Sequence, residues 1–588
     1  MHRSLVPCTA LAAVLSCAVP LAARCSPVVP SPVSAAVDRG PAVAAGAYLA
    51  GIVAGHEGDS SQAADFMFRA LAADPNSMAV RAPAFLFAAM AGDPRAARLA
   101  SLPGSGMIGA LVSANQAASS GDWRAAANAY AGLNDLPLAH AVRPLLLAWA
   151  LQGEGRTDDA LQVLAQVPGN SPLAGAVALE AGSIADYAGK VAAAASLYRT
   201  VQGVFQASGL GSVQLIGSYL ARNGHPAEAA AMVQALAQRI PAIGMIAPGL
   251  VRSLDRPVIS SPSEGLARAY LAIALAMLDG ENAASADSAR DGRPPGEGHE
   301  VVRFMLRFAL VMDPHLTAAR LSLADLIAPA HPHAALELLG AVPASDPLSP
   351  LVSLRIATLL ASTGQTAASL DRLHAITASL PDRPEPWQTL GDVLSDAKQF
   401  GAAIPAYDRA MAARRKLNGG HLSGDDWQLL FARAVAFDRQ NQWTKARADL
   451  DHALALSPTE PFLLNYLGYS LVERNEDLPQ ARTLIRRALV AKPDDGAIRD
   501  SLGWVMLREG DVPGAVTTLE RAAEQNPEDP TVNFHLGAAY WAAGRHTEAE
   551  DQWRWALVLG PDSADADKIR DALKRAEQAS AQSEGAAK

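Results

Sequence analysis

The feature that most restricts how this chain can fold is a spaced set of small and bulky residues that returns every 34 or 35 positions. Gly468, Gly503 and Gly537 stand 35 and then 34 residues apart, inside NYLGYSL, DSLGWVML and FHLGAAYW. Gly537 is followed by Ala549, Trp553, Ala556 and Pro561, and Gly503 by Ala515, Leu519, Ala522 and Pro527. Gly468, after one inserted residue, leads to Ala481, Ile485, Ala488 and Pro493; upstream, Trp387 and Gly391 lead to Ala403, Tyr407 and Ala410. Gly costs a helix interior about 1 kcal/mol relative to Ala, so a Gly repeated in one phase needs a reason. Small residues at matched positions let two antiparallel helices approach closely, and each Pro stops the second helix. A period of this length predicts stacked helix pairs, each burying its apolar face on the next. Pro530 after Asp529 reads as a helix start, and Thr547-x-x-Glu550 as a capping box.

The pattern resembles the tetratricopeptide repeat, W-x2-L-G-x2-Y, then A-x3-F, then P. The resemblance implies an all-α, right-handed superhelical solenoid of stacked antiparallel helix pairs. In that family the first helix of each pair lines a concave groove that holds peptides or partner proteins. The well-formed array is expected at 384–561, with degenerate copies at 44–279 and 301–383. A polar, Gly- and Pro-containing stretch at 280–300 reads as a flexible loop. RRKLNGGHLSGDD, before the repeat starting at Trp427, reads as an insertion. Residues 562–576 read as a capping helix and 577–588 as a disordered tail.

The N-terminus carries Arg3 and then an uncharged apolar run from Leu5 to Ala23, the pattern of a secretory signal over 1–23. Two cleavage readings stand. Val14-Leu15-Ser16-Cys17 resembles a bacterial lipobox and implies a lipidated Cys17; cleavage after Ala23 releases a soluble protein instead. Residues 24–43 hold four prolines and read as a semi-rigid linker. Cys8, Cys17 and Cys25 are the only cysteines, so Cys25 alone remains as a thiol and no disulfide or Cys-based zinc site is available to the mature chain. The localisation that follows is periplasmic, with an outer-membrane anchor if Cys17 is lipidated. The combination resembles proteobacterial outer-membrane tetratricopeptide lipoproteins, for which adaptor of a periplasmic protease is one specific role.

Chemistry is thinly represented. Net charge is −10 with a sequence pI near 5.7, so no basic field exists to hold nucleic acid. GSGMIG at Gly104–Gly109 matches a dinucleotide fingerprint but follows a helical stretch rather than a strand, and reads as an inter-helix turn. His331-Pro332-His333 lacks further ligands and reads as a surface turn. No enzyme, cofactor, metal or small-molecule substrate is therefore expected. Asp425-Asp426 and Asp494-Asp495 fall at helix starts, where acids complement the dipole.

Function is expected on a surface. Positions 2, 5, 9 and 12 of each first helix form one stripe. They include Phe462, Asn465, Tyr469, Asp500, Trp504, Phe534 and Trp541, the expected protein-binding groove, with aromatic anchors flanked by polar groups. Trp553 and Trp555 fall in a second helix and read as packing or convex-surface residues. The lysines and arginine of the family's carboxylate clamp are missing from Asn465, Tyr469, Ala497, Ser501, Thr531 and His535. The partners expected are proteins or peptides, held by an exported scaffold or adaptor. The alternative is an envelope polysaccharide-assembly component or an enzyme with a site hidden in the N-terminal half, although 80–300 is mostly Ala, Gly and Leu.

Overall fold

The computed structural model describes residues 41–586, apart from 103–104, 134–136, 172, 203–208 and 289–296. The expected signal peptide, Cys17 and most of the 24–43 linker lie outside the described residues, although Pro41–Val43 already open a helix. Every described element is helical, and the chain divides into two compact units between Lys398 and Gln399. Pro384–Asp396 falls in the N-terminal unit, where it packs on Ser349–Ser362 and Thr366–Ser379. Just before it, the Arg383 guanidinium donates to the Pro241 carbonyl at 2.9 Å and to Glu385 at 3.1 Å.

The C-terminal unit begins with Phe400–Leu417 and continues as four helix pairs, here called the first to fourth repeats. They are Trp427–Arg439 with Trp443–Leu456, Pro461–Glu473 with Leu478–Ala491, Gly496–Arg508 with Val512–Gln525, and Pro530–Ala542 with His546–Val558. Within each pair the first helix is A and the second B. The expected insertion takes the form of extra length in Phe400–Leu417 followed by a short turn of 3-10 helix, Gly424–Asp426. A closing helix runs Ser563–Ala586, so the stretch expected to be a disordered tail continues as helix.

The repeated glycines sit under the B helix. A Cβ added at Gly503 would stand 2.5 Å from Leu519 Cγ, and one at Gly468 2.6 Å from Ile485 Cγ1. At Gly537 it would meet Trp553 Nε1 at 2.5 Å. Ala481, Ala515 and Ala549 are fully buried opposite them. Asp495 and Asp529 cap the third and fourth A helices, each accepting from two backbone amides. The capping box expected at Thr547 is absent: the fourth B helix starts at His546 after Arg545, which places Thr547 inside the first turn.

A second periodic mark lies in the turn from A to B, where left-handed backbone recurs at a fixed spacing. In the C-terminal unit it falls at Asn441, Asn475, Gly510 and Gly544. In the N-terminal unit the same conformation recurs at Gly121, Gly155, Gly189 and Gly224, again 34 or 35 residues apart. The two halves therefore share one turn geometry at one period.

The N-terminal unit contains pairs such as Pro41–His56 with Ser60–Ala73, Gly106–Ser119 with Trp123–Ala131, Pro137–Gly153 with Thr157–Ala165, and Ala174–Tyr187 with Val191–Thr200. The long helix Pro262–Ser288 and the following Glu297–Met312 pack on each other and turn back onto this array. The former lies against Pro137–Gly153 and Ala174–Tyr187, and the latter against Met78–Ala91 and Gly106–Ser119. Within the stretch expected to be a loop at 280–300, helix runs to Ser288 and again from Glu297, and 289–296 lie outside the described residues. Gly265 permits the close crossing, since a Cβ there would lie 2.3 Å from the Trp149 ring. Trp149 is fully buried and donates its indole N–H to Glu180 Oε2 at 2.8 Å. Burial pushes the Glu180 carboxyl up to about 7, against the opposing pull of Trp149 and Arg268. Nearby, the buried hydroxyls of Tyr130 and Tyr270 both donate to Asn115 Oδ1, at 2.5 and 2.7 Å.

Candidate protein-binding face

The A helices of the second, third and fourth repeats contribute to a shared aromatic cluster: Tyr469 from the second, Trp504 from the third, and Phe534 and His535 from the fourth. Tyr469 and Trp504 occupy the same position in successive repeats, and both are half-buried. The His535 ring stacks on Trp504 with centroids 4.1 Å apart and planes 15° from parallel. Tyr469 lies 6.1 Å from His535, and Phe534 6.4 Å from Trp504. Polar atoms fix the cluster. Trp504 Nε1 donates to Glu473 Oε1 at 2.8 Å, and His535 Nδ1 lies 2.8 Å from Asp500 Oδ2. An aromatic surface so anchored is rigid, which lowers the entropy lost when a partner settles on it.

Several expected groove residues take other places. Asp500 was expected to offer its carboxylate to a peptide; it is 4% exposed and engaged by His535. The physical reason is that Asp500 and His535 come from neighbouring A helices and satisfy each other in a buried site. Trp541 stacks on His546 at 4.1 Å and lies 5.8 Å from Trp553, so it packs within its own repeat rather than along the row. Phe534 is half-buried and packs on the core of the fourth repeat. Phe462 is 42% exposed, with the Lys492 ammonium 4.0 Å from its ring centroid. Asn465 is half-buried, and its Oδ1 has no hydrogen-bond partner among the described residues. His535, central to the cluster, shows in the sequence only as a position lacking a clamp cation; its spacing of 35 residues from Asp500 is the signal that links them.

The hydroxyl of Tyr469 makes no hydrogen bond among the described residues. Burial raises its pKa well above the usual range, and the carboxylates of Glu473, Asp500, Asp565 and Asp529 push the same way. In the second helices, Trp553 is buried and donates to the Phe534 carbonyl at 3.1 Å, whereas Trp555 is 47% exposed.

The motifs set aside in the sequence fall at helix starts. Gly106 opens Gly106–Ser119, so the second half of GSGMIG is helical rather than a turn, and Pro103 and Gly104 lie outside the described residues. His331 caps Pro332–Gly340, so the histidine pair starts a helix instead of forming a free turn. Among the described residues no group of three or more His, Cys, Asp or Glu is placed to hold a metal ion. No helix there is long and apolar enough to cross a membrane.

A tetratricopeptide repeat family model matches residues 389–461, 467–527 and 501–564, the segment that carries the aromatic cluster. Over these residues the chain is a tetratricopeptide repeat protein. Over 86 residues it is 37% identical to a TPR repeat-containing protein of Pseudomonas aeruginosa, a match spanning 15% of each chain. A tetratricopeptide repeat protein from Parabacteroides merdae superposes over 44% of this chain and 97% of its own, with 14% identity and a TM-score of 0.36. The APC/C Cut9–Hcn1 hetero-tetramer structure gives 92% and 99% coverage, also with 14% identity and a TM-score of 0.36. Tetratricopeptide repeat proteins generally act as protein-interaction scaffolds.

Proposed function

We propose that this protein is an exported scaffold or adaptor that holds partner proteins on the A-helix face of its second to fourth repeats, in the cell envelope. The observation that carries the reading is the Tyr469, Trp504, Phe534 and His535 cluster, contributed by three consecutive A helices and pinned by Glu473 and Asp500. Large, rigid aromatic side chains on a shared face are the anchors from which hot spots are built. Export rests on the apolar N-terminal segment, and attachment to the outer membrane on lipidation of Cys17. The role of protease adaptor is a specific case of the same reading.

The test is recovery of partners from an envelope extract by the mature protein and by its Tyr469→Ala/Trp504→Ala variant. The reading expects defined partners with the parent and at least a tenfold loss with the variant, at unchanged circular dichroism. Equal recovery by both proteins sinks the binding face. Labelling with a fatty-acid analogue addresses Cys17 separately: an unlabelled product cut after Ala23 excludes the lipoprotein form.

A further inference from the structure

A cavity of about 200 Å³ lies in the N-terminal unit, where Glu297–Met312 crosses Met78–Ala91 and Gly106–Ser119. Its walls are mostly apolar, with Ala89, Ala96, Val112, Phe308 and Val311 among them. Gln116 and Ser119, both exposed, also line it and mark where it meets solvent. The one charged lining residue, Asp93, is neutralised by Arg95, whose Nε donates to its carboxylate at 2.8 Å.

Asn115 breaks the apolar lining. It is 3% exposed, and its Oδ1 accepts from the hydroxyls of Tyr130 and Tyr270, neither of which lines the cavity. Burial raises the pKa of both phenols, so each keeps the proton it donates. Two hydroxyl donors on one oxygen fix which way round the amide stands, since turning it over would take the acceptor away from both. Nδ2 is then left with no hydrogen-bond partner among the described residues. A donor buried without a partner costs about 1–3 kcal/mol, and a group in the adjoining space that accepts from it recovers that cost.

We propose that this cavity is a binding site for a compact, neutral small molecule with an apolar body and one carbonyl oxygen, which accepts a hydrogen bond from Asn115 Nδ2. Size limits the body: a cavity of about 150 Å³ takes up benzene, so this one admits such a ring with a short acyl group. Walls without a free charge disfavour an ion. The donor is held in place by Tyr130 and Tyr270, so little freedom is lost when a ligand meets it. The site lies in the unit that carries none of the aromatic cluster, so it stands whether or not the binding face does.

Titration of the full chain with acetophenone, and with ethylbenzene as a probe of similar shape that lacks the acceptor, tests this by calorimetry and by the rise in melting temperature. Saturable binding of acetophenone is expected, at least tenfold tighter than that of ethylbenzene. Ala97→Phe, which places a ring in the cavity from the short 3-10 helix Pro94–Leu99 and leaves Asn115 and both tyrosines in place, should abolish binding of either probe at unchanged circular dichroism. Asn115→Leu should erase the preference for acetophenone. Should either variant fail to fold, the comparison of the two probes on the parent still decides the matter. No saturable binding of acetophenone, equal affinity for the two probes, or undiminished binding by folded Ala97→Phe overturns the site.

Discussion

Replacing Gly537 by Ala isolates the reason for the repeated glycine. The added Cβ would lie 2.5 Å from Trp553 Nε1, 2.6 Å from Cδ1 and 3.0 Å from the Ala549 carbonyl oxygen. Carbon contacts settle near 3.5–4.0 Å, so the indole must withdraw by about 1 Å. Trp553 is 4% exposed and held by its hydrogen bond to Phe534, which leaves it no open space. Overpacking of this kind costs about 1–3 kcal/mol, and loss of the hydrogen bond about 1 kcal/mol more. Against this, Ala returns about 1 kcal/mol of helix propensity. The expected net loss is about 1–3 kcal/mol, read by urea unfolding and by faster hydrogen exchange confined to 530–558. In a Trp553→Leu background the same change should cost nothing, or stabilise slightly. If Gly537→Ala alone is as stable as the parent, close helix packing is not what the glycine serves.

Three further outcomes follow from groups already described. Because the folded pKa of Glu180 is raised to about 7 from its ordinary 4.5, the folded state holds the proton more tightly than the unfolded chain. Stability of the N-terminal unit should then fall as pH rises from about 4.5 to 7, by up to about 3 kcal/mol, and stay level above; Glu180→Gln should abolish that slope in melting curves taken across the window. Asp500→Ala should cost about 1–3 kcal/mol by leaving His535 Nδ1 buried without its partner, and should loosen the Trp504 stack; unchanged melting would show that the pair is dispensable. Phe462→Ala should leave stability within about 0.5 kcal/mol, as expected for a side chain away from the core.

Much of the C-terminal array is legible in the sequence, because the residues that define it act locally and recur. Gly503, Ala515 and Leu519 belong to one helix pair, so their spacing alone reports their packing. Asp500 reads differently in sequence and structure for the opposite reason: its partner, His535, sits one full repeat away, and a lone acid on a groove-facing stripe looks exposed. Thr547 carries the composition of a cap, but the helix starts two residues earlier, with Arg545 at the cap position. In the N-terminal half the side-chain signature has eroded, yet Gly121, Gly155, Gly189 and Gly224 keep the period, since a left-handed turn tolerates few replacements. Nothing local announces that Pro262–Ser288 will lie on Pro137–Gly153. That contact depends on Gly265 meeting Trp149, more than a hundred positions back.

That returning pair of helices sets how each unit should come apart. In the C-terminal repeats most contacts join neighbours along the chain, so unfolding can begin at the closing helix and advance one repeat at a time. In the N-terminal unit, Pro262–Ser288 and Glu297–Met312 clasp four helices drawn from 78–187 into one core. Losing any one of those contacts exposes faces belonging to the others, which couples them into a single cooperative block. Under mechanical tension the array should therefore yield in small successive steps and the clasped unit in one large one.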